Sequence, residues 1–212
     1  MIRVVVVDDH TIVRSGICRL LDSESDIEVV AQTGSGHEAV RLCYEEKPDV
    51  LVLDYGLPDL DGLETTRQVV QLDEAPKILI LTMHASEEYA TRVIRAGASG
   101  FIVKTAPTAQ LLDAVRKVSR NQLFVSMPIM EKMVSRVAQP TTDRPESVLS
   151  NRELQVLIRL AQGMTTKEVA DALHLSTSTV DTYRRRILEK LDLRNNADMT
   201  RFAIRRNLIH LE

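Results

Sequence analysis

Five polar side chains in the first half of the chain have the types and spacing needed for phosphoryl chemistry. Each stands where a short aliphatic run stops, and they are Asp8, Asp9, Asp54, Thr82 and Lys104. The carboxyl ends of parallel strands converge on one edge of an α/β sheet, where ligands bind. Three close carboxylates repel one another unless a cation neutralises them, and oxygen ligands favour Mg²⁺. The spacing therefore predicts a Mg²⁺ site that takes up a phosphoryl group.

Asp54 is the candidate nucleophile of this site because it ends the central predicted strand. A carboxylate accepts a phosphoryl group as an acyl phosphate. The metal and Lys104 would offset charge on the transferring oxygens, and Thr82 is placed to hydrogen-bond the bound group. Acids at strand ends also serve as helix caps and loop solvators, but that interpretation fits single residues better than all five on successive strands.

The elements that must position these residues alternate between strand and helix over the first 120 residues. The apolar runs are continuous, as expected when helices cover both faces of a sheet. They span residues 2–7, 27–31, 49–53, 77–82 and 100–103. A first helical pattern keeps Val13, Ile17, Leu20 and Leu21 on one face, and others run about 37–46, 62–72, 86–96 and 108–120. We predict a five-stranded, doubly wound parallel sheet of the flavodoxin type, with strand order 2-1-3-4-5.

Length, composition and charge indicate what kind of protein this is. The chain has 212 residues and 44% hydrophobic content, which suits one or two globular domains. Its longest early apolar run, Val4 to Val7, is too short for a signal peptide or a spanning helix, so we expect a cytoplasmic protein with no membrane partner. Residues 1–140 carry 15 basic and 20 acidic side chains, a balance of −5, whereas residues 141–212 carry 12 and 10, a balance of +2. The basic C-terminal part hints at a nucleic-acid partner.

A polar, proline-rich segment at residues 139–147 is typical of an interdomain linker. An amphipathic connector helix is predicted before it, from about Pro128 to Val137. The predicted domains are residues 1–120 and 148–212, joined by a connector of residues 121–147. The second domain is predicted to be a bundle of four helices. Its helix starts are indicated by capping boxes at residues 150–153 and 165–168, by Ser176 or Thr177, and by Asn195.

Residues 165–191 carry a helix-turn-helix pattern. One helix face is formed by Val169, Ala170 and Leu173, and the inward positions of the next helix are Val180, Ile187 and Leu191. The outward residues Asp181, Thr182, Arg185 and Arg186 suit base edges in the major groove of double-stranded DNA. Phosphate contacts are expected from Thr177, Thr179, Tyr183 and Lys190. The alternative is a solvated helix face in a small interaction bundle.

Residues 1–120 resemble the receiver domain of a bacterial response regulator. The resemblance rests on Asp8-Asp9-His10, on Asp54 followed by Leu57-Pro58-Asp59-Leu60-Asp61-Gly62, and on Thr82 and Lys104. It implies that Asp54 accepts a phosphoryl group from a sensor histidine kinase. It also implies that Asp9, Asp54 and the Gly56 carbonyl ligate Mg²⁺ and that Asp8 acts through water.

The same resemblance implies that Thr82 and Phe101 form a switch pair and that Lys104 partners the phosphate. Three positions depart from the usual receiver pattern. Thr105 follows Lys104 where proline is common, Phe101 lacks a tyrosine hydroxyl, and Leu57 stands where methionine is frequent. None of these departures touches the acceptor chemistry.

Residues 149–191 resemble a LuxR/GerE-type DNA-binding domain, whose last helix often supports dimerisation. That helix would be about Ala197 to Asn207 here. Asp181 and Tyr183 replace the lysine and histidine common after Thr-Val, which predicts an unusual site preference. With both halves in this order, the chain resembles a response regulator of the NarL/FixJ subfamily.

The resemblances imply a phosphorylation-switched transcription regulator. Its expected partners are promoter DNA, a sensor histidine kinase, a second copy on activation and RNA polymerase. One rival is a regulator that binds DNA independently of phosphorylation. Another is a Mg²⁺-dependent phosphatase. Such enzymes commonly carry a second acid two positions after the nucleophile, where this chain has Gly56. At most slow hydrolysis of the chain's own acyl phosphate is therefore expected.

The segment Gly34-Ser35-Gly36-His37-Glu38-Ala39 matches a dinucleotide-binding fingerprint. It follows the second predicted strand rather than the first, so we interpret it as a turn before a helix.

Overall fold

The chain divides into two compact units, Met1–Ala138 and Gln139–Glu212. A computed structural model describes residues 1–83, 87–127, 129–131, 148–206 and 208–209. The predicted connector helix lies outside these residues apart from positions 129–131, and the predicted linker lies outside them entirely. Within the described part of the chain, no helix has the length and apolar character required to cross a membrane.

The first unit is built on a parallel sheet of six strands in the order β2-β1-β3-β4-β5-β6. The strands are β1 (Ile2–Val7), β2 (Ile27–Thr33), β3 (Val50–Asp54), β4 (Lys77–Thr82), β5 (Gly100–Val103) and β6 (Phe124–Val125). The predicted doubly wound fold is confirmed, with one difference. The two-residue strand β6 pairs with the β5 edge, where the amide of Phe124 donates to the carbonyl of Ser99 at 3.1 Å. A run of two residues carries no periodicity, so the sequence pattern could not indicate it.

The strands are separated by α1 (Thr11–Asp22), α2 (Gly36–Glu46), α3 (Gly62–Val69), α4 (Glu87–Arg95) and α5 (Thr108–Ser119). Every residue of β3 is buried, as expected for a central strand with helices on both faces. Gly62 lets α3 begin directly against the end of this strand. A Cβ atom on Gly62 would lie 2.7 Å from Tyr55 Cα and 2.8 Å from the Asp54 carbonyl oxygen. The loop after Asp54 is thereby folded tightly beside the sheet edge.

The second unit contains α6 (Asn151–Ala161), α7 (Thr166–Ala172), α8 (Thr177–Leu191) and α9 (Asn196–Arg205). All four predicted helix starts are confirmed. Ser150 and Thr165 form reciprocal capping boxes with Glu153 and Glu168, Ser176 accepts from the amide of Thr179, and Asn195 accepts from that of Asp198. Each cap contributes about 1 kcal/mol of stability because it satisfies amides that lack partners within the helix.

The predicted inward residues form the core of this unit. Val169, Ala170 and Leu173 are buried on the α7 side, and Val180, Ile187 and Leu191 are buried on α8. Met199 and Ala203 of α9 are also buried, and α9 packs on α6. The α7–α8 pair therefore presents the opposite face of α8 to the outside, as the helix-turn-helix pattern requires.

Candidate functional site

The predicted acid pocket assembles at the carboxyl edge of the sheet. Asp54 ends β3 and is only 4% exposed, and Asp8, which follows β1, is fully buried. The Lys104 ammonium, one residue past β5, lies 2.7 Å from Asp54 Oδ2 and 2.8 Å from Asp8 Oδ2. The backbone amide of Gly56 donates to Asp54 Oδ1 at 3.2 Å. One ammonium thus bridges two buried carboxylates.

The charges in the pocket do not balance. Burial raises the pKa of Asp54, and the neighbouring Asp8 raises it further, whereas Lys104 acts in the opposite direction. Burial alone would lower the pKa of Lys104, but the carboxylates of Asp54 and Asp8 raise it overall, so the ammonium stays charged. With Asp9 included, three acids face one lysine. The pocket therefore lacks positive charge, which a divalent cation would supply.

The donor set fits such a cation. Ligand atoms of Asp8, Asp9, His10 and Asp54 all lie within 4.8 Å of one another. Three of the four residues offer the carboxylate oxygens that Mg²⁺ prefers. The pocket is open on one side, because the His10 side chain is 63% exposed and that of Asp9 is 14% exposed. Solvent can therefore complete the coordination of a small hard ion.

His10 belongs to this cluster, although the sequence pattern assigned it no role at the metal site. Its Nδ1 lies 2.7 Å from Asp9 Oδ1 and 3.4 Å from Asp8 Oδ1, and its backbone amide donates to Asp8 Oδ1 at 2.9 Å. The residue therefore holds both acids from one side. The signal that could have found it is its position directly after the Asp8-Asp9 pair.

The predicted switch residues lie on β4 and β5, the next two strands of the sheet after β3. Thr82 ends β4 and is 2% exposed, and Phe101 in β5 is fully buried. The sequence pattern did not indicate a contact between two tyrosines that follows β3. Tyr55, the residue after Asp54, packs on Tyr89 of α4 with ring centroids 4.6 Å apart and planes tilted by 36°. The residue that follows β3 is thus in direct contact with α4 through two buried rings.

The Gly34–Ala39 segment is occupied by a carboxylate of the chain itself. Asp59 accepts hydrogen bonds from Ser35 Oγ at 2.6 Å, from the amide of Gly36 at 2.9 Å and from the amide of His37 at 3.2 Å. Partial burial opposes the effect, but these bonds hold the pKa of Asp59 well below its usual range. The amides that a pyrophosphate would need at the start of α2 already have an anionic partner. The segment is a turn before a helix, as interpreted from the sequence, and Asp59 of the β3–α3 loop binds the start of that helix.

The outward face of α8 carries the predicted DNA contacts. Thr177, Asp181, Arg185 and Arg186 are exposed, whereas Thr179, Thr182 and Tyr183 are half-buried. Two hydroxyls are already engaged within the helix start, since Thr179 Oγ1 lies 2.7 Å from Ser176 Oγ and Thr182 Oγ1 donates to the carbonyl of Ser178 at 2.9 Å. Arg185 lies 4.0 Å from Glu189 in an exposed ion pair, and such a surface pair is weak. The charged groups of this face are therefore better placed than the hydroxyls to make new contacts.

Lys190, a predicted phosphate contact, makes an ion pair within the second unit. Its ammonium lies 2.7 Å from Glu153 Oε2 and 3.3 Å from the carbonyl of Val148. Burial opposes ionisation of Glu153, but the bonds from Lys190 and Ser150 lower its pKa overall. Lys190 thus fastens the end of α8 to the start of α6, and its contact with a DNA phosphate stays a prediction.

An acid pocket at the edge of a doubly wound sheet, joined to a capped helix-turn-helix unit, defines a response regulator. Residues 4–116 match the family described as "Response regulator receiver domain". Residues 147–203 match the family described as "Bacterial regulatory proteins, luxR family". The chain belongs to the response regulators that join a receiver domain to a LuxR-type DNA-binding domain, and the predicted NarL/FixJ type is confirmed.

Full-length relatives support this assignment. The chain is 35% identical to Response regulator UvrY of Escherichia coli (strain K12) over 213 residues, which cover 100% of this chain and 98% of the relative. It is 37% identical to Oxygen regulatory protein NreC of Staphylococcus haemolyticus, covering 98% and 99% of the two chains. Among solved structures, a LuxR-family two-component response regulator from Aurantimonas sp. SI85-9A1 aligns with a TM-score of 0.63 and 36% identity, covering 66% of this chain and 99% of that one.

Proposed function

We propose that the chain is a transcription regulator switched by phosphorylation of Asp54. The carrying observation is the geometry of the pocket, in which one buried ammonium lies within 2.8 Å of both Asp54 and Asp8. Such a pocket holds negative charge and lacks a counter-ion, which suits a phosphoryl group that arrives with a divalent cation. The donor would be a phosphohistidine of a sensor histidine kinase.

The transfer exchanges one bond to phosphorus for another. An Asp54 carboxylate oxygen attacks phosphorus, a P–O bond forms, the P–N bond to the kinase breaks, and the released imidazole nitrogen takes a proton from solvent. Asp9, Asp54 and the Gly56 carbonyl would hold Mg²⁺, with Asp8 acting through water, and the ion would neutralise charge on the phosphoryl oxygens. Lys104 would pair with the same oxygens. We propose no turnover of an outside substrate beyond slow hydrolysis of the acyl phosphate.

The phosphoryl group brings a charge of about −1.5 to −2, by analogy with other phosphorylated side chains. Thr82 would hydrogen-bond this group, and Phe101 would pack into the space that Thr82 leaves. The resulting shape change at α4, β5 and α5 biases an equilibrium that already exists in the unmodified protein. A coupling of roughly 1–3 kcal/mol would shift populations about 5- to 150-fold.

The output would be promoter binding. In the proposed organisation, residues 1–120 receive the phosphoryl group, residues 121–147 connect, and residues 148–212 bind double-stranded DNA in the cytoplasm. A homodimer would place two α8 helices on two half-sites, and linkage would multiply their affinity. Arg185 and Arg186 would contact bases or phosphates, with Asp181 accepting from cytosine. RNA polymerase would then be recruited or excluded.

Phosphorylation is tested by incubating the full chain with Mg²⁺ and acetyl phosphate and measuring its intact mass. The wild type should gain one phosphoryl group, and Asp54→Asn should gain none. Asp73→Asn is the matched control, because Asp73 is an exposed acid of the same unit. An Asp54→Asn variant that is labelled as fully as the control would reject the assigned acceptor. A multiple-turnover assay on an outside phosphate ester should show no product beyond one equivalent.

A further inference from the structure

The first residues of the predicted connector, 121–147, pair with the sheet of the first unit through β6. The two residues of this strand, Phe124 and Val125, are 8% and 7% exposed. They pair with Gly100 and Phe101 of β5. Phe101 belongs to the proposed switch pair, so its partner at the edge of the sheet is Val125. The connector therefore begins directly beside the switch.

Close packing holds β6 against its neighbours. A Cβ atom on Gly100 would lie 3.1 Å from the Phe124 carbonyl oxygen and 2.7 Å from Leu79 Cδ1, so the strands can approach as they do because residue 100 has no side chain. The Phe124 side chain belongs to the hydrophobic core that contains the buried face of α5. The Lys117 ammonium of α5 lies 5.5 Å from the centre of its ring. Strand β6 is thus attached to both β5 and α5, two of the three elements where a shape change is proposed.

The chain on each side of β6 is also bonded within the first unit. Before the strand, the amides of Asn121 and Gln122 both donate to carbonyls in the last turn of α5 at 3.0 Å. After it, the amides of Ile129 and Met130 both donate to the carbonyl of Ser126 at 3.0 Å, and Ile129 is 2% exposed. A displacement of β6 therefore reaches the following part of the connector through bonded residues.

We propose that β6 transmits the switch from Phe101 into the connector, and this inference rests on the proposed function. Successive side chains of a strand point to opposite faces of the sheet. Since Phe124 packs towards α5, Val125 points to the other face, on the same side as its partner Phe101. When Phe101 packs into the space that Thr82 leaves, it withdraws from Val125. The pairing of β6 with β5 is then weaker in the phosphorylated protein.

Two features of β6 suit this role. It is a strand of two residues at the edge of the sheet, and elements with few backbone bonds open at a low free energy. A small loss of side-chain packing is therefore enough to change how often it opens. The contact of Tyr55 with Tyr89 also links the acceptor to the proposed switch face, but α4 is followed along the chain by β5, whereas β6 leads directly into the connector.

Hydrogen exchange of the Phe124 amide, followed by NMR in the full-length protein, tests the proposal. This amide donates to the Ser99 carbonyl at 3.1 Å. The amide of Lys77 is the internal control, because it donates to the Asp49 carbonyl at 2.9 Å at the same end of the sheet, between β3 and β4. With Mg²⁺ and acetyl phosphate, and with phosphorylation verified by intact mass, the Phe124 amide should exchange at least about fivefold faster, the lower end of the range for coupled sites. The Lys77 amide should keep its rate, and neither amide should respond in Asp54→Asn.

Two valine variants separate this role from a general loss of packing. Val29 is the matched control for Val125, because it is a half-buried valine of β2, the strand at the opposite edge of the sheet. The readout is the affinity for a DNA duplex selected from the genomic fragments that the chain retains. In Val125→Ala, Asp54 should still be phosphorylated, but the roughly 5- to 150-fold change in affinity expected for the wild type should largely disappear. Val29→Ala should keep that change, and Val125→Ile, which keeps a β-branched side chain at the contact, should restore most of it.

The possible outcomes distinguish this proposal from the proposed function. A Phe124 amide that keeps its exchange rate in the phosphorylated wild type would overturn the proposal. A Val125→Ala variant whose DNA affinity responds as fully as that of Val29→Ala would overturn it as well and would favour transmission through Tyr55 and Tyr89. A wild type in which the Phe124 amide responds but DNA affinity does not would support the change at β6 and reject the proposed control of DNA binding.

Discussion

Replacing Lys104 by methionine tests how the acid pocket is held together. The Lys104 side chain is 6% exposed and its ammonium lies 2.7 Å from Asp54 and 2.8 Å from Asp8. Methionine keeps the apolar stem but removes the charge that both carboxylates share. Removing one partner of a buried ion pair costs about 3–5 kcal/mol. We expect the lower end, about 3 kcal/mol, because Asp54, whose pKa burial already raises, can take up a proton in the variant.

The assay is urea unfolding in the presence of a chelator, followed by tyrosine fluorescence, because Tyr44, Tyr55 and Tyr89 all lie in the first unit. A loss of about 3 kcal/mol corresponds to roughly 10 °C in the melting temperature of a domain of this size. Mg²⁺ should restore part of the loss, since an ion that binds only the folded state stabilises it.

Lys117→Met is the matched control for this measurement. Lys117 pairs with Asp113 at 2.8 Å on the surface of α5, and both side chains are about half exposed. Such a surface pair contributes at most about 1 kcal/mol. If Lys104→Met were as stable as Lys117→Met without metal, the two buried carboxylates would not depend on the lysine, and our description of the pocket would be refuted.

Three further predictions concern the packing of Gly62, the ion pair of Glu153 and the contact of His10. Gly62→Ala should destabilise the first unit by about 1–3 kcal/mol, because its Cβ would lie 2.7 Å from backbone. In contrast, a Cβ atom on Gly16 of α1 would have no other atom within 4 Å, so Gly16→Ala should stabilise the first unit by about 0.5–1 kcal/mol. Equal urea midpoints of the two variants would contradict the packing argument. Burial opposes ionisation of Glu153, but the bonds from Lys190 and Ser150 lower its pKa overall. Ionised Glu153 therefore stabilises the second unit at pH values above 4.5, the usual pKa of a glutamate. This stabilisation is lost as the pH falls through the lower pKa of the folded state. Glu153→Gln should flatten that acid-side decline in a series of thermal unfolding curves, and a decline as steep as in the wild type would exclude this role. His10→Ala should weaken Mg²⁺ binding about tenfold. His10→Asn keeps a donor near the Nδ1 position and should not weaken it. Equal Mg²⁺ affinities of the two variants in calorimetric titrations would show that the contact with Asp9 does not matter for binding.

The strand ends of the first unit were predictable because their signals are local. Each buried strand is a continuous apolar run, and the polar residue that ends it must lie at the carboxyl edge of a parallel sheet. Asp54 and Lys104 are 50 residues apart in the chain, yet the topology alone brings them to the same edge. The helix starts of the second unit were predictable for the same reason, since Ser150 and Glu153 form a cap within four residues.

Contacts between distant segments could not be predicted in this way. Asp59 bonds to residues 22 to 24 positions earlier, and no periodicity reports which loop closes over which helix start. Lys190 has the spacing of an outward residue, but its partner Glu153 lies 37 positions away. The packing of Tyr55 on Tyr89 depends likewise on where α4 lies against β3. In each case, tertiary structure decides what a locally exposed or apolar pattern will contact.

The central claim is that a phosphoryl group on Asp54 changes how tightly the chain binds DNA. It is tested most directly by measuring the affinity of the full chain for a DNA duplex selected from the genomic fragments that the chain retains. The measurement is made with and without acetyl phosphate and Mg²⁺, in the wild type and in Asp54→Asn. A coupling of roughly 1–3 kcal/mol predicts that the donor changes wild-type affinity by about 5- to 150-fold, whereas the variant should not respond. Wild-type affinity that stays the same after its phosphorylation has been verified by mass would contradict the account.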